Sequence, residues 1–317
     1  MTLYTSVLTT ATYTRYLLDP RKIQLMGFLR NLLGLKKPPD TSLPSTLASQ
    51  SVSTGTDVKF NVGWVTDVGK VRRHNEDTVL VFVSAHDGND ALPTFGLFIL
   101  ADGMGGHQAG EVASSLAART AAHYIIQALY LPTLINWEHN DSQPALNELL
   151  IAAVQAANDA VLQKAPGAGT TLTCALMLGP RAYVAHVGDS RAYVASEEGL
   201  QQITHDHTLV DRLIEMGQLT RDEASTHPQK NVLYRAVGQD GKLEADIHTY
   251  TIPENGHLLL CSDGLWSMVA ESEMGKIVAA SPTPQTACEA LVAAANQAGG
   301  HDNVTVILVT SPPDRTV

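Results

Sequence analysis

Five aspartates stand where apolar runs end or begin: Asp77 after RRHNE, Asp102 after FGLFILA, Asp189 after YVAHVG, Asp263 after HLLLCS and Asp302 before NVTVILV. A single aspartate at a strand end is usually a turn or cap residue, because its side chain hydrogen-bonds the local backbone. Five of them flanking five buried strands call for another reason. Each abuts a run that offers no neutralising partner, so carboxylates gathered at one end of a sheet would repel one another unless cations sat among them. The donor set is oxygen alone, with no His/Cys group at metal spacing, and hard oxygen donors select Mg²⁺ or Mn²⁺. The chemistry expected is that of a two-ion centre. In three cases Gly or Ser follows the acid (Asp102-Gly103, Asp189-Ser190, Asp263-Gly264). That pairing turns the chain sharply and leaves the carboxylate projecting beyond the sheet edge.

Such acids need strands to hold them. FNVGWVT, TVLVFVS and FGLFILAD are β-branched or aromatic runs parted by turn residues, and they predict three opening strands. EVASSLAARTAAHYIIQAL and ALNELLIAAVQAANDAVLQKA carry apolar residues at helical spacing and predict two helices joined by a loop around Leu131 to Pro144. TTLTCALML, RAYVAHVG and RAYVAS, linked by LGPR and GDS turns, predict an antiparallel meander. A helical insert follows, with DHTLVDRLIEMG as one helix and Thr220 and Glu223 as a capping box for a second. HTYTI and HLLLCS then predict strands, SEMGKIVAA and TACEALVAAANQA helices, and NVTVILVTS a strand in a sheet interior. Strands and helices come in blocks, which favours an α+β fold with antiparallel sheets and segregated helices.

The chain has 317 residues, with 21 Lys and Arg against 32 Asp and Glu for a net charge of -11, and no compensating basic patch in its body. That balance argues against a nucleic-acid partner. Apolar residues make up 44% and charged residues 17%, the composition of a globular chain with enough to bury. Cys174, Cys261 and Cys288 are odd in number, far apart and set in apolar runs. They read as buried free thiols in a reducing compartment. With no apolar run of membrane-spanning length and no signal-peptide pattern, the cytoplasm is the expected location.

Residues 1–57 differ from the body. Six basic residues there face three acidic ones. Between Ile23 and Lys37 apolar residues alternate loosely with Arg30, Lys36 and Lys37, which over 23–35 reads as a short amphipathic helix on a membrane surface, a helix packed on the body or a frayed leader; Gly27 and Gly34 interrupt it. Met26 is an alternative start. Residues 38–56 are rich in Ser, Thr and Pro and read as a flexible linker. The folded body is expected over residues 58–312.

Beyond the acids, the segments VRRHNED, LFILADGMGGHQAGE, GTTLTCAL, AHVGDSRAY, THDHTLV, HPQKNVLYRAVG, LLLCSDGLW and GGHDNVTVILV occur in that order over residues 60–310. They resemble the successive motifs of the metal-dependent serine/threonine protein phosphatases of the protein phosphatase 2C (PP2C, PPM) family, in its bacterial form. The resemblance implies an αββα sandwich, two central antiparallel sheets flanked by helix pairs, with metal ions at one end between the sheets. It implies that Asp102 bridges two ions, that the Gly103 carbonyl binds the second, and that Asp263 and Asp302 complete the first. Glu76 and Asp77 would bind the second ion directly or through its waters, and Asp189, with Asp263, would hold a third, weaker ion. Arg72 matches the arginine that grips the substrate phosphate through two parallel donors. Asn303 would support the site by hydrogen bonding.

The reaction so implied is direct hydrolysis of phosphoserine and phosphothreonine by a hydroxide bridging two Mn²⁺ or Mg²⁺ ions, with no phospho-enzyme. Its partners would be phosphorylated proteins, substrates of bacterial Ser/Thr kinases; nothing in the sequence itself suggests more than a monomer. One departure stands out: the position after Asp-Gly, a proposed general-acid histidine in animal members, is Met104. His107 is then either a substitute donor or a structural group, and in the latter case a metal-bound water could serve instead. His205, His207, His227 and His301 lie in motifs without an assigned role, as supporting or surface residues. Residues 209–231 correspond to the family's variable flap, a mobile determinant of substrate choice. A catalytically silent binding module is the competing reading, but such members lose metal carboxylates, and here Arg72 and all five aspartates are present.

Overall fold

The computed structural model describes residues 60–84, 94–105, 108–135, 145–225 and 227–310. The expected amphipathic helix at 23–35, the linker at 38–56 and His107 lie outside them.

Two antiparallel sheets form the centre. The first runs in the order β1 (Asn61–Asp67), β11 (Val304–Thr310), β10 (His257–Cys261), β7 (Arg191–Ser196) and β8 (Gly199–Gln202). The second runs β2 (Asp77–Ser84), β3 (Phe95–Met104), β5 (Leu172–Leu178), β6 (Arg181–Val187) and β9 (Asp246–Thr251), with the short β4 (Gly169–Thr170) pairing with the end of β3.

The unbroken apolar runs of β3, β10 and β11 follow from burial on both faces. In β3, Leu97, Ile99 and Ala101 point to a core on the helix side, whereas Phe98 and Leu100 point into the core between the sheets. In β11, Val304, Val306 and Leu308 face helices, and Ile307 and Val309 face the opposite sheet. Each large side chain removed from water in this way contributes about 1.5–3 kcal/mol.

The outer layers are helix pairs. Helices α1 (Gln108–Ile125) and α2 (Leu146–Lys164) cover the second sheet, with Ala113, Ala117 and Ala121 of α1 buried against it. Helices α3 (Glu271–Ala280) and α4 (Pro284–Gln297) cover the first. Helix α4 starts with a capping box between Thr283 and Thr286 and a proline in its first turn, which satisfies donors that the helix itself leaves free. The layers are therefore α, β, β, α, as the motifs imply. Gly63 of β1 sits so close to α4 that a Cβ would overlap the backbone of Pro284 and Gln285. Gly63→Ala is expected to destabilise the protein by about 1–3 kcal/mol in denaturant unfolding, because the helix must shift; an unchanged midpoint would contradict that packing.

Three sequence expectations need correction. β6 and β7 are not neighbours in a meander: β6 pairs with β5 and β9 in one sheet, and β7 with β8 and β10 in the other. The GDS turn carries the chain from sheet to sheet, through Gly188 at φ +112°. The strand β2 that follows Asp77 is only half-buried, since it lies at an edge. Asp102 does not project beyond the sheet: β3 runs on to Met104, with Asp102 in register with Asp77 and Gly103 with Thr170.

The three cysteines, on β5, β10 and α4, are free and buried. Burial pushes each thiol up to about 12.

Candidate active site

At one end of the sandwich the sheets leave a pocket of about 270 Å³. Arg72, Glu76, Asp102, Gly103, Asp189, Asp263, Asp302 and Asn303 line it, and so does Met104. Of the residues singled out in the sequence, only Asp77 lies behind the wall and His107 lies outside the described residues. The strands explain the convergence. Asp102 comes from β3, Asp263 follows β10, Asp302 precedes β11, and Asp189 sits on the turn that crosses between the sheets.

Each acid is positioned by local hydrogen bonds. The Asp102 N–H donates to Thr171 Oγ1 (2.9 Å), and its carbonyl accepts from the Thr171 N–H and from Thr170 Oγ1 (both 2.8 Å). Gly103 donates its N–H to the Glu76 carbonyl (3.1 Å), and a Cβ there would overlap Gly110 and Glu76, so only glycine allows that approach. Asp77 Oδ2 accepts from Ser262 Oγ (2.9 Å), just past β10, and from Thr305 Oγ1 (2.6 Å) of β11, across in the other sheet. Asn303 Oδ1 accepts from the Glu76 N–H (2.8 Å), and its Nδ2 donates to the carbonyls of Val68 (3.0 Å) and His74 (2.9 Å). It ties the Arg72 loop to Asp302. Arg72 Nη2 donates to Asp302 Oδ2 at 2.6 Å, with the arginine side chain half-exposed at the mouth.

The electrostatics are those of a cation site. Burial, and after it the charges of Asp77, Asp263, Asp189 and Asp302, hold the Asp102 carboxyl well above its ordinary range. Burial and then Asp189, Asp302 and Asp77 do the same to Asp263. Asp77 is pushed up to about 6, burial outweighing its two hydroxyl donors, and Asp189 to about 7 by burial and Asp206. Asp77 Oδ1 and Asp263 Oδ1 are buried without a hydrogen-bond partner. Orphaned carboxylate oxygens in a low-dielectric pocket are stabilised by a cation. Among the described residues no three acidic, His or Cys side chains close into a cage. An open wall of oxygens suits small hard ions that keep several waters.

Residues that sequence reasoning passed over complete the site. The hydroxyls of Thr170, Thr171, Ser190, Ser262 and Thr305 form a network behind the acids. Asn231 and Leu233 close one side of the pocket from the helical insert. That insert contains helices at Leu209–Glu215 and Arg221–Ser225, the second capped through Thr220 and Glu223 as expected. Its base is tied by Leu209 N–H to the Val232 carbonyl (2.8 Å) and Tyr234 N–H to the His207 carbonyl (3.0 Å). A groove of about 1080 Å³, sharing Asn231, Asp263 and Asp302 with the pocket, runs beneath the insert past Ile214, Trp266 and Met268. His205 and His301 line that groove, and His207 is buried.

An αββα sandwich with buried carboxylates at the end of its paired sheets and an arginine at their mouth defines a class of metal-dependent phosphatase. A family model described as Protein phosphatase 2C matches residues 70–290, and the chain belongs to that family. It is 38% identical over 247 residues to the serine/threonine phosphatase stp of Listeria innocua, covering 77% of this chain and 93% of that protein. The solved structure of the Mycobacterium tuberculosis serine/threonine phosphatase PstP/Ppp superposes with a TM-score of 0.66 at 33% identity, covering 80% of this chain and 100% of that one. A PstP catalytic domain in complex with two manganese ions gives a TM-score of 0.63 at 32% identity, over 80% and 99% of the two chains.

Proposed function

We propose that this chain is a metal-dependent protein phosphatase that hydrolyses phosphoserine and phosphothreonine. The observation that carries it is one pocket of about 270 Å³ lined by Arg72 and by Asp102, Asp189, Asp263 and Asp302. Asp102, Asp263 and Asp302, with Glu76 and the Gly103 carbonyl, would hold two divalent ions, Mn²⁺ or Mg²⁺; Asp77 would act from behind through its neighbours. Asp189 with Asp263 would hold a third ion more weakly. Bound there, the ions supply the Lewis acidity and the activation of water that P–O hydrolysis needs.

The chain's own groups do the rest. Arg72 spends one N–H on Asp302 and has others free to meet phosphate oxygens at the mouth. Asn303 fixes the loop that carries it. Met104 has no proton to give the leaving alkoxide, so His107, three residues on, is the candidate donor. The groove beneath the insert would take the protein chain around the phosphate, which makes the insert the determinant of substrate choice. Partners would be phosphoproteins made by Ser/Thr kinases. A cytoplasmic location fits the buried free thiols; among the described residues no helix is long and apolar enough to cross a membrane.

The test is phosphate release from a phosphothreonine peptide after EDTA treatment, with and without Mn²⁺ or Mg²⁺. Metal-restored release supports the reading, and failure with both metals overturns it. Arg72→Ala is expected to raise the apparent KM by about tenfold or more, since a hydrogen bond to a charged group contributes about 1.5–3 kcal/mol; an unchanged KM would remove Arg72 from phosphate binding. Residues 58–312 are proposed as the catalytic unit. Deleting residues 1–57 should leave turnover of a soluble phosphopeptide unchanged, and loss of folding would show that the leader packs on the body.

A further inference from the structure

We propose that His207 is a positioning residue for Asp189, with Asp246 setting its ring for that task; this rests on the phosphatase reading of the pocket. Asp189 sits on the turn that takes the chain from one sheet to the other, beside a glycine whose φ of +112° leaves the backbone with no side chain of its own to hold it. His207 supplies the hold on the glycine's N–H and, with His186 Nε2 at 3.0 Å, shares the hold on its carbonyl. Its Nδ1 accepts the Gly188 N–H at 3.0 Å, and its own backbone N–H donates to the Gly188 carbonyl at 2.8 Å. One residue thus grips both polar groups of Gly188.

The ring can do this in only one tautomer. Because Nδ1 accepts, the proton sits on Nε2, which faces Asp246 Oδ2 at 3.2 Å. Arg235 Nη1 lies 3.1 Å from the same Nε2 and donates to Asp246 Oδ1 at 2.8 Å. Two donors therefore share one carboxylate, and the guanidinium beside the ring disfavours a second ring proton. Asp246 is on β9, in register with His186 of β6, so the anchor is part of a sheet rather than a loop. On the far side, Trp266 Nε1 donates to the Asp189 carbonyl at 3.0 Å. With Gly188 and Asp189 both fixed, the carboxylate is aimed into the pocket.

Asparagine and glutamine separate this role from mere filling of space. In His207→Asn the amide oxygen would stand where Nδ1 stands and accept from Gly188, whereas in His207→Gln the longer amide would reach toward Asp246 and leave Gly188 unpaired. The experiment compares wild type, His207→Ala, His207→Asn and His207→Gln with saturating Mn²⁺ and a phosphothreonine peptide, alongside amide hydrogen exchange at Gly188 in the metal-free proteins. His207→Ala and His207→Gln are expected to lose about tenfold or more in kcat with little change in KM, the size usual for groups that orient a metal-site side chain. His207→Asn should stay within about threefold of wild type, with Gly188 protected as in wild type. Glutamine equal to asparagine, wild-type kcat in His207→Ala, or identical Gly188 exchange in all four would overturn the proposal. A wild-type protein that releases no phosphate overturns the parent reading and this one with it. Should His207→Ala unfold, Asp246→Ala serves instead, since that carboxylate is one-third exposed; unchanged kcat and unchanged Gly188 exchange there would equally count against the clamp.

Discussion

Asp102→Asn is expected to abolish turnover while making the metal-free protein more stable. The loss should be at least about a hundredfold, because the carboxylate stands at the centre of the proposed ion set and an amide neutralises it there. The gain in stability comes from the same burial. Asp102 is held well above its ordinary carboxyl range by desolvation and by four neighbouring acids. A group whose pKa is raised on folding destabilises the native state once pH exceeds that of the unfolded chain, since it must either ionise in an unfavourable place or hold a proton that the unfolded chain has released. An uncharged isostere removes that cost and keeps the shape that Thr170 and Thr171 hold through the backbone. Phosphate release and thermal unfolding in EDTA check both halves. Retention of more than a tenth of activity, or a lower melting temperature in EDTA, would contradict the central placement of Asp102.

A second large effect concerns metal and pH together. For Asp77, raised to about 6, and Asp189, raised to about 7, the folded values lie above the unfolded ones. Stability is therefore fully present below about pH 4 and is lost as pH rises through 6 and 7, because the native state there binds more protons than the unfolded chain. Buried His186 pulls the other way. Burial lowers it to about 3, so it favours folding above about pH 6.5 and costs stability as pH falls toward 3. The two trends oppose each other in the metal-free protein alone. Metal bound to the carboxylates leaves the His186 contribution in place, so the difference in melting temperature between Mn²⁺-loaded and EDTA-treated protein isolates the acids. That difference should grow between pH 5 and pH 8, as the sites lose competing protons and bind metal more tightly. A difference independent of pH would mean that the buried acids do not bind the ion.

Most of the scaffold was legible because burial on both faces writes itself into composition: FGLFILA carries no polar residue on either face, and in NVTVILV the polar Asn303 and Thr305 come only at the end that approaches the acids. The five acids were legible for the complementary reason, as charge abutting runs that offer it no partner. What escaped depends on register and on which sheet a strand joins. The turn between YVAHVG and RAYVAS has the local chemistry of a hairpin, and only the packing of β7 against β10 decides that it crosses the sandwich. Ser262 and Thr305 look like ordinary polar residues, yet Ser262, just past the end of β10, faces Thr305 of β11, and both reach Asp77. His207 stood out in THDHT but had no visible task, because the glycine it holds is 19 positions back and the acid that orients it lies 39 positions on.

The buried thiols give the enzyme a character that its chemistry alone does not require. With each of Cys174, Cys261 and Cys288 pushed up to about 12 and out of contact with solvent, almost none is thiolate at neutral pH, and it is the thiolate that peroxides and electrophiles attack. A burst of oxidant that silences a cysteine-dependent phosphatase would not silence this enzyme through its thiols. Phosphate marks on its targets would not come to persist under oxidative stress through loss of these thiols, so a mark that did persist would point to a cause other than cysteine oxidation in this eraser.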